Sequence, residues 1–220
     1  MAVRAAGRDA QRTLIVGKTG SGKTTLGLTL AEQAHAQGVA VVWLDVKGLN
    51  DPGWGVEYAD QLLAVPPAGR AALLNQRLEA HGGRVTMQLA PRPDLKDDDQ
   101  LDAVCEAVYS RCNALLVMDD VMGVLGANRT PYYARRCLTM GRARGIGLIN
   151  LVTSAHNIPR GMLDQAEHIV AFELHNADDA ERLAREGSPA LREALTLARY
   201  EFFWYDSESK TAKRFKPLAI

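Results

Sequence analysis

The sequence predicts an α/β fold, a mostly parallel, doubly wound sheet that ends in a C-terminal β-hairpin. Three observations carry this prediction. Apolar runs of strand length recur at Thr13 to Val16, Val39 to Leu44, Arg84 to Leu89, Asn113 to Asp120, Gly147 to Thr153 and His168 to Phe172. Near-continuous hydrophobic strands of this kind are buried on both faces of a parallel sheet. Segments of helical period alternate with them, and glycine, proline and acidic clusters mark the joins. At 220 residues, without an internal repeat or a low-complexity linker, the chain reads as an N-terminal arm, 1–12, followed by one domain, 13–220.

The first strand runs directly into Gly17-Lys18-Thr19-Gly20-Ser21-Gly22-Lys23-Thr24-Thr25, and a helix with Leu26, Leu28, Leu30 and Ala31 ends near Gly38. Strand, G-x-x-x-x-G-K-[ST], helix is the phosphate-binding loop (P-loop, or Walker A motif) in its confirming context. Gly17, Gly20 and Gly22 permit backbone torsions that turn successive N–H groups into one anion-binding nest. The helix adds the positive end of its dipole. Lys23 is expected to reach the β- and γ-phosphates of ATP and Thr24 to ligate Mg²⁺.

After this helix, the strand 39–44 leads to Asp45-Val46-Lys47-Gly48 and the turn-rich Asn50-Asp51-Pro52-Gly53-Trp54-Gly55. Asp45 and Lys47 flank the nucleotide or a pore, or pair within the loop; Trp43 reads as core. A helix over Ala68 to His81 stops at Gly82-Gly83, and Pro91-Arg92-Pro93 breaks the third strand. Asp97-Asp98-Asp99 starts a helix that runs through Leu101, Val104, Cys105 and Val108. A helix over Pro131 to Met140 precedes the strand 147–153. A short helix spans Gly161 to Gln165. Helices over Asp178 to Arg185 and Ala190 to Ala198 precede a hairpin, Tyr200 to Tyr205 with Lys210 to Phe215.

Composition excludes several classes. No apolar run reaches the roughly 18 residues that span a bilayer, and residues 1–12 carry no signal-peptide core, so a cytoplasmic protein is expected. The three cysteines lack metal-ligand pairing; Cys105 and Cys112 read as packed thiols on one helix in a reducing compartment. The formal net charge is zero, which argues against a generally basic nucleic-acid binder but leaves room for a local basic surface.

Leu115-Leu116-Val117-Met118-Asp119-Asp120 is a Walker B candidate, with Asp119 in the Mg²⁺ shell and Asp120 at the place of a water-orienting carboxylate. The same pair would also suit a helix cap. Arg142 and Arg144, just before the strand 147–153, either stabilise charge on a γ-phosphate or decorate a solvated helix end. Thr153 and Ser154, just after its apolar core, either sense the γ-phosphate or cap the next turn. From Val121 to Leu163 there is no acidic residue but six arginines, Arg129, Arg135, Arg136, Arg142, Arg144 and Arg160. Such a stripe fits a phosphate-backbone contact surface, and Arg129, Arg135 and Arg136 are the DNA-contact candidates. It also fits contacts between subunits.

Taken together, GKTGSGKT, the second strand ending in Asp45-x-Lys47-Gly48, the Walker B run and the block GRARGIGLINLVTSAHNIPRGMLDQAEHIVAFEL resemble the FtsK–HerA superfamily of pumping P-loop ATPases. Within it the chain looks most like the genome-packaging ATPases of tectivirus-type viruses with an internal membrane. The resemblance covers roughly residues 13–205, and its specific part is the block from Gly141 to Leu174. It implies a RecA-like P-loop fold and a homohexamer that hydrolyses ATP to move double-stranded DNA into a preformed capsid. It also implies an arginine finger at Arg142, with Arg144 in reserve, and capsid-vertex or viral-membrane partners in the host cytoplasm. Two departures stand out: relatives carry glutamine where this chain has Thr153-Ser154, and Asp-Glu where it has Asp119-Asp120. Two further readings stay open, a filamentous-phage assembly or export ATPase of the zonula-occludens-toxin type and a P-loop small-molecule kinase.

Overall fold

The computed structural model describes residue 7 and residues 10–48, 52–156 and 158–218. Its elements begin with β1 (Arg12–Val16), α1 (Lys23–Ala36), β2 (Ala40–Asp45), β3 (Val56–Tyr58), α2 (Asp60–Leu63) and α3 (Pro67–Ala80). There follow β4 (Arg84–Gln88), α4 (Asp97–Arg111), β5 (Ala114–Asp119), α5 (Tyr132–Met140), β6 (Ile146–Val152) and α6 (Arg160–Leu163). The chain closes with β7 (His168–Phe172), α7 (Ala177–Glu186), β8 (Phe202–Asp206) and β9 (Thr211–Phe215).

The strands form one sheet in the order β3-β4-β2-β5-β6-β1-β7-β8-β9. From β3 to β7 every pairing is parallel, and β8 and β9 add the antiparallel hairpin that the sequence predicts. β1 lies between β6 and β7, with Val16 level with Val152 and Ala171. The carboxyl ends of β1, β2, β5 and β6 therefore open on one edge, where a parallel sheet carries its ligands.

The two faces are covered unequally. Leu26, Leu30, Ala31 and Ala34 of α1 pack on Ile15, Trp43, Val117 and Leu151, and among the described residues no other helix contributes to that apolar cluster. The remaining helices pack on the other face around Leu14, Leu44, Leu116 and Leu148. Right-handed crossovers explain the split. Only the step from β1 through α1 to β2 moves one way along the sheet by way of a helix; the helical steps into β4, β5, β6 and β7 move the other way.

Local chemistry sets the ends of the elements. Three aspartates in the first turn of α4 suit the positive end of its dipole. Asn176 caps α7 by accepting from Asp178 N at 2.8 Å. α4 stops at Arg111 because Cys112 and Asn113 take positive φ, 64° and 44°. Cys112 is thus not on the helix with Cys105, as the sequence had suggested. The buried neighbour of Cys105 is Cys137, whose Sγ lies 3.5 Å from the Cys105 carbonyl.

Three other expectations are revised. The helix expected at 190–198 is a 3-10 segment, Pro189–Thr196, whose buried Leu191 and Ala194 repeat with the three-residue period of that helix. β3 was not foreseen, since three residues at a sheet edge give too short a pattern. The end of the expected N-terminal arm is fixed: Ala10 is buried and the Gln11 carbonyl accepts from Leu148 N at 3.0 Å. Residues 1–6 and 8–9 of that arm, with Asn50 and Asp51 of the turn-rich segment, lie outside the described residues.

Candidate active site

The loop from Gly17 to Gly22 joins β1 to α1 and is tied to both neighbouring strands. Gly17 N donates to Val152 O at 3.3 Å and Lys18 N to Glu173 O at 2.9 Å, while Lys18 and Glu173 also pair through their side chains. The glycines answer to different constraints. Gly20 and Gly22 sit at φ 76° and 106°, where an L side chain is strained. Gly17 does not; a Cβ there would come within 2.6 Å of the Phe172 Cβ and 2.9 Å of Ser21 Oγ. The expectation that Gly17 serves torsional freedom is therefore corrected: it serves close approach.

Thr19 and Gly20 form the exposed tip, and Ser21 is buried with its hydroxyl unpartnered in the structure. α1 starts with no side-chain cap and no acidic residue in its first turn, which leaves its leading N–H groups to an anion. Lys23 is buried, its ammonium donating to Gly17 O at 2.8 Å and Lys18 O at 3.0 Å. Burial lowers its pKa, opposed by the charges of Asp120 and Asp119. An orphaned hydroxyl, an ammonium and free helix N–H groups around one loop fit a phosphate chain. Thr24 and Thr25 follow on the first turn of the helix.

Three carboxylates gather at the neighbouring ends of β2 and β5, and the charges of two of them, Asp119 and Asp120, act on Lys23. Asp119 ends β5 in register with Asp45 at the end of β2. Burial, then the charges of Asp45 and Asp120, push the Asp119 carboxyl up to about 6. The charges of Lys23 and Lys47 oppose that rise, and among the described residues no group of three His, Cys, Asp or Glu side chains is arranged to hold a metal ion by itself. Asp45 accepts from Lys47 N at 3.2 Å and Gly48 N at 3.1 Å, which shapes the turn. Lys47 crosses to pair with Asp120. The sequence leaves open whether Asp45 and Lys47 flank the site or pair with each other; the Lys47 side chain pairs instead with Asp120. Asp120 stands at φ 55° before the 3-10 turn Val121–Gly123 and makes no capping bond with its side chain.

Ser154 is turned elsewhere: its hydroxyl donates to Asp179 Oδ1 at 2.9 Å and accepts from His156 N at 3.0 Å. Thr153 directly follows Val152, the residue bonded to Gly17, and is half-buried beside the loop.

Arg142 and Arg144 are not brought to this loop. They lie in the 3-10 turn Gly141–Arg144 at the start of β6, whose seven residues put them about 20 Å from the phosphate-loop edge. Arg142 pairs with Glu167 at 3.2 Å with its side chain 55% exposed. Arg144 donates to Tyr109 O at 3.2 Å and lies over the Tyr109 ring. With Arg12 they line an open concavity of about 860 Å³.

The arginine stripe is less bare than the sequence implied. Arg129 pairs with Asp98 at 2.7 Å, Arg160 with Asp164 at 3.3 Å, and Arg136 stacks on Tyr109 and Tyr132. The acidic partners come from outside the run that was read. Arg135 is exposed on α5. The rings of Phe172 and Tyr200, which sequence reasoning did not place at the site, come within van der Waals reach of Gly22.

No protein-family model matches the chain. A stretch of 95 residues is 35% identical to the RecA protein of Gluconobacter oxydans; it covers 38% of this chain and spans 28% of that RecA. Among solved structures, the chain is similar to the genome-packaging NTPase B204 of Sulfolobus turreted icosahedral virus 2 in complex with AMPPCP. The TM-score is 0.72 at 17% identity, over 95% of this chain and 98% of B204. VirB4 of Thermoanaerobacter pseudethanolicus superimposes with a TM-score of 0.65 at 12% identity, over 97% of this chain and 91% of that one. The N-terminal domain of the Neisseria meningitidis zonular occludens toxin gives 0.50 at 13% identity, over 94% of each chain. The chain shares the fold of these structures, a mostly parallel sheet flanked by helices.

Proposed function

We propose that residues 13–220 form one ATPase unit of a homohexameric motor that drives double-stranded DNA, packaging a viral genome into a preformed capsid. The observation that carries this reading is the buried Lys23 set against Asp119 and Asp120 at one edge of the sheet, with Arg142 at the opposite edge. The likeness to B204, a packaging NTPase, supports the choice of cargo.

In this mechanism the leading N–H groups of α1 and the Ser21 hydroxyl bind the phosphate oxygens. Lys23 exchanges the Gly17 and Lys18 carbonyls for the β- and γ-phosphates. Thr24 and Asp119 would hold Mg²⁺, which would supply positive charge against those phosphates. Asp120 orients the attacking water once Lys47 yields, and Thr153 lies where the γ-phosphate state can be read. Arg142 acts on the site of the neighbouring copy, because its own loop lies the length of β6 away. Its half-exposed pair with Glu167 is weak enough to exchange for a phosphate. Arg135, with Arg129 and Arg136, contacts the DNA backbone. Among the described residues no helix is long and apolar enough to cross a membrane. A capsid vertex or a viral membrane protein in the host cytoplasm is the docking partner.

The test is the ATPase rate with and without double-stranded DNA, beside mass by light scattering. Stimulation by DNA and a hexameric mass are expected. A DNA-indifferent monomer that turns over ATP only with a small acceptor would replace the motor by a kinase.

A further inference from the structure

The concavity at the amino ends of β1 and β6 contains a charge that its surroundings do not satisfy. Arg12, the first residue of β1, lines it together with Arg142 and Arg144. Arg12 is only 5% exposed, and its Nε makes no hydrogen bond among the described residues. Burial lowers its pKa; the charge of Glu167 opposes that shift and the charge of Arg142 adds to it. Two guanidinium groups thus repel each other beside one shared carboxylate.

We infer that Arg12 and Glu167 are positioning residues for Arg142: Glu167 holds its guanidinium at rest, and Arg12 balances the Glu167 charge when that guanidinium leaves for a phosphate on the neighbouring copy. This rests on the reading that Arg142 acts on the neighbour's nucleotide.

The carboxylate is the fixed member. Glu167 N donates to Arg12 O at 2.9 Å and Ser207 N donates to Glu167 O at 2.9 Å, which ties the residue before β7 to β1 and to the turn after β8. Its Oε2 accepts from Arg12 N at 2.7 Å, while its Oε1 accepts from Arg142 at 3.2 Å. The three arginines differ in their freedom to move. Arg12 is buried, and Arg144 is held by the Tyr109 carbonyl and ring. Arg142 is the half-exposed one, on the rim of an open concavity.

Charge decides what Arg12 adds. The Glu167 side chain is 21% exposed, and a largely buried carboxylate that loses its only counter-charge is costly. With Arg12 beside it, the departure of Arg142 leaves one cation with one anion and relieves the repulsion between the guanidinium groups. Without Arg12, Glu167 would hold Arg142 more tightly, and a phosphate would have to compete with a full ion pair.

The test is a double-mutant cycle on kcat, beside ATP affinity by titration and Tm. Arg12→Met is expected to lower kcat roughly tenfold and leave ATP affinity within about threefold. Its Tm should hold or rise, since an apolar chain replaces a buried cation. Arg12→Lys keeps the charge and should keep kcat within about threefold of wild type. Adding Glu167→Gln to Arg12→Met is expected to restore kcat to within about threefold of wild type, because the carboxylate that over-holds Arg142 is gone. Residues that only support the fold give no such reversal; their double variant is at least as slow as the worse single one. The proposal is overturned if Arg12→Met keeps the wild-type kcat, if Arg12→Lys is as slow as Arg12→Met, or if Glu167→Gln fails to restore the rate. Full hydrolysis by Arg142→Ala would overturn the arginine-finger reading itself, a separate outcome.

Discussion

The ammonium of Lys47, on the turn that follows β2, is paired with the carboxylate of Asp120, the residue after the last of β5. The contact ties together the ends of adjacent strands at the place where a γ-phosphate would arrive. With Lys23 held by loop carbonyls, both charged groups nearest the reaction have protein partners that a substrate must displace.

If Asp120 orients the attacking water, Asp120→Asn lowers kcat by about 100-fold or more and leaves ATP affinity within about threefold. Asp120→Glu, longer by one methylene, retains measurable turnover. Equal losses in affinity and rate would make Asp120 a binding residue instead. Steady-state kinetics beside titration separates the two.

If Asp119 ligates Mg²⁺ as proposed, it exchanges stability for metal affinity. Its folded pKa, about 6, lies above the ordinary value of 3.8, so the fold gains stability as pH falls through that window. Above it, the ionised carboxylate costs the fold on the order of 3 kcal/mol. Asp119→Asn should therefore raise Tm in metal-free buffer near pH 7.5, with the gain fading towards pH 4. The same variant should lose Mg²⁺-dependent hydrolysis. Thermal scans across pH check the sign: a lower Tm at pH 7.5 would contradict it.

Gly17→Ala should destabilise by about 1–3 kcal/mol, because the added methyl would lie 2.6 Å from the Phe172 Cβ. Denaturant titration measures the loss. Gly20→Ala meets open space, and its cost is backbone strain alone, about 1 kcal/mol.

Lys23→Ala and Arg142→Ala should each abolish hydrolysis, yet a mixture of the two should recover activity. In a mixed ring, some boundaries join an intact phosphate loop to an intact arginine. Arg142→Ala alone should change stability by less than about 1 kcal/mol, since its partner Glu167 meets it at the surface. A mixture as inactive as its parts would remove the arginine from the neighbour's site.

Arg135→Ala should weaken DNA binding across sequences and reduce the salt slope of log K by about 1. Arg136→Ala should cost stability as well, because its guanidinium covers the Tyr109 and Tyr132 rings. Fluorescence anisotropy at several salt concentrations tells a phosphate contact from a structural one.

The strands around the site were legible because each is an unbroken apolar run, from Leu14-Ile15-Val16 to Ile169-Val170-Ala171. The phosphate loop was legible because its spacing is local. What depends on partners distant in the chain was not. The constraint on Gly17 comes from Phe172, the pair of Arg129 from Asp98, and the bond of Ser154 from Asp179. Strand order was hidden for the same reason, since an apolar run states that a strand is buried and not beside which other.

β1 finds both of its neighbours late: β6 begins at Ile146 and β7 ends at Phe172. During synthesis, the nucleotide cradle is translated first and shaped last, because its flanking strands emerge only after most of the polypeptide. ATP should then have little hold on a ribosome-bound fragment that stops short of Phe172, and capture of nucleotide would mark the moment when the growing chain locks shut.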